Sequence, residues 1–330
     1  MDVLIELFLP ISIWFQSAPG WINAVAKVFT FLGNTEFYLL IMPALFWSID
    51  TLLGIRIGIM LLISGGLNSL LKFAFQWPRP FWVSDKVSNL VDATGFGFPS
   101  GHSQNAASLW GLLAASTAKK WLRWIAGLVI ALIGISRIAL GVHFTHDVLF
   151  GWLVGFLVLV VYLLLEKRVA AWFREHSFPA QFLALVICTS LFILPALALV
   201  NPFNPPPLPQ AWIDGAGDAI NPYSYHDLLT TAGAFFGLGL GLLLLNRLGG
   251  FSAEGRVWQR IVRYLVGLVG VLLLYLGLGS IFPDEIDLLS YSLRFLRYTL
   301  IGLWISFGAP QVFSWLKLAS PKAEPPSSAD

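Results

Sequence analysis

Three short clusters bring together cations, a serine–glycine pair and two histidines, residue types that suit phosphoryl transfer. The first is Lys72-Phe-Ala-Phe-Gln-Trp-Pro-Arg79-Pro80, the second Pro99-Ser100-Gly101-His102, and the third holds Ser136-Arg137, His143 and Asp147. A transferring phosphoryl group spreads negative charge over its equatorial oxygens, so its catalysis is mostly positioning and charge stabilisation. Lys72, Arg79 and Arg137 offer three cations, and the arginines add planar bidentate donors. Ser100 and Gly101 stand at a predicted helix start, where free backbone N–H groups and the helix dipole favour an anion. Glycine there also lets a phosphate approach the backbone closely. His143 and Asp147 are four residues apart. They share a face if their helix begins at or before His143; if it begins later, the carboxylate reaches the imidazole from the first turn. Asp147 would hold one ring nitrogen as N–H and raise the basicity of the other, making it a nucleophile. His102 is then placed to protonate the leaving alkoxide and later to activate water.

The elements that must position these residues are membrane helices. Of 330 residues, 57% are hydrophobic and 12% charged, about half the charge of a soluble domain, so lipid is the expected solvent. The net charge of +2 does not suggest a nucleic-acid partner. Single Cys188 excludes an internal disulfide framework and a cysteine metal site. With roughly 20 apolar residues per crossing, nine spans are expected, near 23–49, 51–75, 103–118, 122–140, 147–166, 179–200, 228–246, 260–282 and 293–316. The third is short. Pro10 interrupts the apolar run at the start, so residues 1–22 read as an interfacial segment, and acidic Asp2 and Glu6 argue against a signal peptide. Residues 23–175 form the expected catalytic core, 176–316 additional helices, and 317–330 a polar, proline-rich, disordered cytoplasmic tail.

Basic residues set the orientation. Lys119, Lys120 and Arg123, then Lys167, Arg168 and Arg174, then Arg247, Arg256, Arg260 and Arg263 fall in loops that alternate as cytoplasmic loops do. The opposite loops are acidic or proline-rich, including 84–97, 201–210 and 283–287. All three clusters then emerge on the extracytoplasmic side, with the N-terminus outside and the C-terminus inside.

The three patterns K-x6-RP, PSGH and SR-x5-H-x3-D resemble the signature motifs of the type 2 phosphatidic acid phosphatase (PAP2) superfamily at all eleven specified positions. At ordinary residue usage such a match arises by chance on the order of once in ten million chains of this length. The resemblance implies an all-α polytopic transmembrane bundle with a PAP2-type catalytic helix core. His143 would form a phosphohistidine, Asp147 would orient it and His102 would act as general acid. Lys72, Arg79, Ser100, Gly101 and Arg137 would bind the phosphate, with no metal or cofactor. The stretches GNTEFYLLIMPALFWSID and SRIALGVHFTHD, and the span count, look like the branch of sphingosine-1-phosphate phosphatases and glucose-6-phosphatases. Gly101 departs from that branch, where threonine is expected, and matches the general lipid phosphatases.

Lone lysines and arginines near helix ends often only snorkel to the interface. Here they sit on the expected outer side, where topology-setting charges are least expected, and ionisable groups at a membrane edge are functional candidates. His146 reads as a neighbour of the catalytic pair, His176 as a surface residue and His226 as a loop histidine. Asp214, Asp218 and Asp227 match no calcium-loop spacing. Gly233, Gly237 and Gly241 make a close-packing face, within the monomer by the simpler reading and at a homodimer contact by the sharper one.

The expected function is therefore hydrolysis of a lipid phosphate ester within the membrane. Transfer of the phosphoryl group to another acceptor, and a non-enzymatic lipid transporter, are the rival readings. A transporter's charges would lie at mid-bilayer on broken helices, not at one edge.

Overall fold

The structure, a computed structural model, describes residues 2–217 and 220–319; it is helical, with no strand among the described residues. In chain order the helices are α1 Asp2–Gln16, α2 Gly20–Phe31, α3 Thr35–Ala44, α4 Thr51–Phe75, α5 Pro80–Val83, α6 Gly101–Ala115, α7 Lys120–Ala139 and α8 Thr145–Glu175. There follow α9 Phe178–Leu199, α10 Gln210–Ala216, α11 His226–Arg247, α12 Val257–Leu272, α13 Leu278–Ile281, α14 Leu288–Leu303 and α15 Ala309–Trp315. Single π turns at Leu45–Ile49, Leu273–Gly277 and Trp304–Gly308 follow α3, α12 and α14.

The all-α membrane architecture is as expected, and the expected count of about nine spans is roughly consistent with it. Among the described residues, six helical stretches are long and apolar enough to cross a bilayer, or seven if the bent pair α1–α2, at 111°, is one span. The expected span 23–49 is instead α2, a turn at Gly33-Asn34, then α3 and its π turn. The expected span 103–118 is α6, whose 15 residues reach only about 22 Å against a hydrocarbon core of about 30 Å. Hydropathy alone misses the turn in the first, because a turn inside an apolar run does not change its average much, while the third is short as expected.

The chain forms two compact units. One comprises Met1–Tyr38, Ile63–Arg168 and Leu194–Tyr225; the other comprises Leu39–Leu62, Val169–Ile193 and His226–Asp330. In the first, α6 and α7 pack through Ala106, Ala107, Ile130 and Ile133. α8 lies against α6 along Gly151 and Gly155, where a Cβ would come within 2.6 Å of Ser100 O and 2.3 Å of Gln104 O. Two small residues a helical turn apart thus let α8 approach the first turns of α6 closely enough for their side chains to share one site.

In the second unit, Trp47, fully buried, donates its Nε1–H to Ile305 O at 2.8 Å and stacks edge-on with Phe313. Gly233, Gly237 and Gly241 all face neighbours in the same chain: Phe295 O, Thr299 O and Ser306 Oγ. Arg263, expected only as a topology-setting charge, is fully buried and donates to Ser252 O, Ala253 O and Glu254 O. The tail expected over 317–330 lies, from residue 320 on, outside the described residues, as does Asp218.

Candidate active site

The eight residues singled out by type and spacing lie in the first unit, where four short segments meet. α4 ends at Phe75 because Gln76 takes the left-handed conformation (φ 52°) and donates its N–H to Lys72 O at 2.9 Å, and Pro78 prevents resumption of the helix. Lys72 therefore sits in the last turn, and Arg79 in the exit segment. Arg79, only 4% exposed, spends most of its donors on the backbone. Nε reaches Gly95 O at 2.6 Å, Nη1 Val142 O at 2.8 Å and Nη2 Phe96 O at 3.2 Å. It clamps the loop before α6 to the α7–α8 connection. Nη1 also faces His143 Nε2 at 3.4 Å.

The α7–α8 connection is tight. Gly141 has φ +75°, and a Cβ there would lie 2.3 Å from Ser88 O, so both conformation and space require glycine. α8 then starts at Thr145, after His143, so the second of the two sequence-level alternatives holds. Asp147 stands at the third helical position and its Oδ2 accepts Phe144 N–H at 2.9 Å, in the manner of a capping box. The same oxygen is 3.3 Å from His143 Nδ1. A carboxylate only accepts, so Nδ1 carries the proton and Nε2 presents its lone pair toward Arg79. Burial, then the charges of Arg79, Arg137 and Lys72, push the His143 pKa well below the ordinary histidine value, which keeps the ring neutral.

Ser100 caps α6. Its Oγ accepts Ser103 N–H at 3.4 Å and its own N–H donates to Asp147 O at 3.1 Å. That bond corrects one expectation: the Ser100 N–H is already used in tying α6 to α8. The N–H groups of Gly101 and His102, the first two of the helix, have no acceptor within it. A Cβ on Gly101 would lie 2.8 Å from Asn68 Oδ1. Asn68 is itself held, donating to Pro99 O at 3.3 Å and Gln104 Oε1 at 2.9 Å. Arg137, in the last turn of α7 and 4% exposed, donates from Nη1 to Thr30 Oγ1, while its buried Nε has no hydrogen-bond partner among the described residues. A buried, unpaired guanidinium donor calls for an acceptor.

His146 is closer to the site than its sequence reading as a neighbour implied. Its Nε2 lies 3.1 Å from Asp147 Oδ1, without hydrogen-bond alignment, and its ring stacks on Phe144. Together with Leu4, Trp77, Phe98, Leu149, Phe150 and Leu153 it lines an apolar groove of about 310 Å³. Asn34, also missed, meets His102: its Oδ1 is 2.9 Å from His102 Nε2. His226 belongs to the second unit, 3.4 Å from Asp284, and His176 is exposed and stacked on Trp172.

Comparison with known proteins identifies the family. The family described as "PAP2 superfamily" matches residues 53–171, and "PAP2 superfamily phosphatase, transmembrane extension" matches residues 229–321. The chain is 37% identical over 154 residues to phosphatidylglycerophosphatase B of Bacillus subtilis, covering 42% of this chain and 72% of that protein. It is 27% identical over 139 residues to sphingosine-1-phosphate phosphatase 1 of Rattus norvegicus, but spans only 32% of that protein's length and 40% of its own. A glucose-6-phosphatase catalytic subunit 1 from Haplochromis nubilus is 25% identical over 334 residues, 89% of this chain and 91% of that one. The chain belongs to the PAP2 superfamily and is a multi-span membrane phosphatase.

Proposed function

We propose that the protein hydrolyses the terminal phosphate of a membrane lipid phosphate ester through a phosphohistidine on His143. The observation that carries this reading is His143 itself, with Nδ1 on Asp147 Oδ2 and Nε2 facing Arg79. The Nε2 lone pair attacks phosphorus, and the bond from phosphorus to the ester oxygen breaks. Burial and then Arg137, Lys72 and Arg79 lower the His102 pKa; the negative charge of the bound phosphate offsets those cations, so that His102 takes up a proton and delivers it to the departing alkoxide. Water then attacks the phosphohistidine, losing its proton to the now neutral His102, and the phosphorus–Nε2 bond breaks to release inorganic phosphate. Asp147 stabilises the positive charge that the ring acquires. Lys72, Arg79 and Arg137, with the first N–H groups of α6, balance the phosphoryl oxygens. Three cations and a helix terminus are the groups on hand for that charge, which supports a metal-independent reaction.

A lipid substrate is supported by the apolar groove beside His146. Leu149 and Leu153 on its wall are each about half exposed, on the face α8 turns toward lipid. A substrate would enter sideways, phosphate at headgroup level and tail along α8. The basic loops 119–123, 167–174 and 247–263 still alternate with the acidic and proline-rich ones, which supports an extracytoplasmic site and a cytoplasmic C-terminus. Relatives that act on phosphatidylglycerophosphate and sphingosine 1-phosphate by name support the same class.

The test is phosphate release from purified full-length protein in detergent with EDTA. The panel holds phosphatidate, phosphatidylglycerophosphate, sphingosine 1-phosphate, an isoprenyl diphosphate and glucose 6-phosphate. Activity that survives chelation, prefers one of the lipids and disappears in His143→Ala is the expected result. A preference for glucose 6-phosphate would overturn the lipid assignment, and a phosphorylated acceptor in place of free phosphate would make the protein a transferase.

A further inference from the structure

The turn between α2 and α3 lies outside the three motif clusters and outside both family matches, yet it supports two of the site's residues. Gly33 N–H donates to Thr30 O at 2.9 Å and Asn34 N–H to Phe31 O at 3.1 Å, which closes the end of α2 into a compact turn. On one side of it, Asn34 Oδ1 meets His102 Nε2 at 2.9 Å across 68 residues of chain. Gly33 lies against the same ring, and a Cβ there would come within 2.7 Å of His102 Cδ2. On the other side Thr30, 4% exposed, accepts from Arg137 Nη1 across 107 residues.

An amide oxygen only accepts, so the contact with Asn34 puts a proton on His102 Nε2. Nδ1 is then the nitrogen through which His102 exchanges its proton, and the neutral ring left after each transfer is a single tautomer. Thr30 acts in parallel on Arg137. By taking one Nη1 hydrogen it fixes the plane of the guanidinium, so the unpaired Nε is held in one direction. Oriented donors lose less freedom when an anion arrives.

We propose that the Thr30–Asn34 turn is a positioning element of the reaction, in which Asn34 sets the tautomer and orientation of the general acid His102 and Thr30 orients the phosphate-binding Arg137. This rests on the roles given to His102 and Arg137 above. It assigns work to residues outside the three motif clusters, at the turn that interrupts the apolar run 23–49.

The test separates proton delivery from mere structural support by changing the leaving group. A lipid phosphate loses an alkoxide, which needs a proton; p-nitrophenyl phosphate loses a stabilised phenolate, which does not. In purified full-length protein, Asn34→Leu should lower kcat/KM, which reports the leaving-group step and not the later attack of water, by about 10- to 100-fold on the lipid phosphate, part of the roughly 10²- to 10⁴-fold a general acid contributes. On p-nitrophenyl phosphate the loss should stay under about threefold. Asn34→Asp keeps an acceptor oxygen and should restore most of the lipid activity. Thr30→Val should raise KM and weaken inhibition by inorganic phosphate by about tenfold on both esters, with kcat changed less.

Equal losses on the two esters in Asn34→Leu, or no loss at all, would overturn the role of Asn34. Should Asn34→Leu fail to fold, Asn34→Ala, which adds no bulk beside His102, is read in the same way. His102→Ala serves as reference. If His102→Ala discriminates between the esters and the Asn34 variants do not, only the present inference falls. If His102→Ala itself shows no discrimination, the general-acid reading falls and takes the role of Asn34 with it.

Discussion

Replacing Asp147 by asparagine isolates the electrostatic part of the proposed mechanism. Asp147 is fully buried, and one of its oxygens, Oδ2, serves both Phe144 N–H at 2.9 Å and His143 Nδ1 at 3.3 Å. The amide oxygen of the replacement side chain can occupy the same place and accept from both, so the helix start and the His143 tautomer survive. What disappears is a negative charge 3.3 Å from a ring that becomes positive as phosphorus bonds to Nε2. At an effective dielectric constant of about 20, that attraction is about 5 kcal/mol for a full charge. With the charge half developed at the transition state it is about 2.5 kcal/mol. At about 1.4 kcal/mol per tenfold, kcat should fall between about 10² and 10⁴-fold.

The loss should be similar for a lipid phosphate and for p-nitrophenyl phosphate, because Asp147 acts on the nucleophile and not on the leaving group. The melting temperature should move little. Asp147→Ala, by contrast, also gives up the contact that starts α8 and should destabilise the fold by a further ~1 kcal/mol. The assay is steady-state phosphate release on both esters, with thermal unfolding in the same detergent. A folded Asp147→Asn enzyme that keeps more than a tenth of its kcat would refute the reasoning.

Three further outcomes follow from the same contacts. Arg79→Lys removes a planar fork that holds Gly95 O, Phe96 O and Val142 O; the variant should lose both activity and about 2–4 kcal/mol of stability, read by phosphate release and a melting curve. Because the His143 pKa is lowered by burial and then by Arg79, Arg137 and Lys72, the acid limb of kcat/KM should lie below the ordinary histidine range near about 6.5. Arg79→Gln should shift it upward. The stability sign agrees: the unfolded chain binds that proton more readily, so stability attributable to His143 is full above about pH 6.5 and declines as pH falls toward the folded value. His143→Gln should flatten that part of the stability profile. Gly101→Ala places a Cβ 2.8 Å from Asn68 Oδ1, and the displaced amide should cost about 1–3 kcal/mol in the melting transition.

How much of this was legible in the sequence depended on range. The contact between His143 and Asp147 was readable because four residues along a chain reach each other from a helix or from its first turn, and the cations because their types and spacing formed recognisable patterns. Pro78 alone was enough to place Lys72 in the last turn of α4 and Arg79 in the segment that leaves it. The partners of His102 and Arg137 were not readable, since Asn34 and Thr30 lie 68 and 107 residues away along the chain. Gly33-Asn34 did carry a signal, a turn dipeptide inside an apolar run, but a hydropathy window averages over it. Arg79 shows a different limit: its type predicted an anion ligand, whereas most of its donors hold backbone carbonyls, a use that depends on loops whose paths composition does not describe.

The central claim is a covalent bond between phosphorus and His143, and rapid quenching tests it most directly. The enzyme is mixed with radiolabelled lipid phosphate in EDTA, quenched in alkali, where phosphohistidine persists, and the labelled peptide is identified. The expected result is label on the peptide carrying His143, turning over to inorganic phosphate, increased by His102→Ala if water activation becomes slow, and absent from His143→Ala. Full phosphate release by His143→Ala, or label on any other residue, would contradict it.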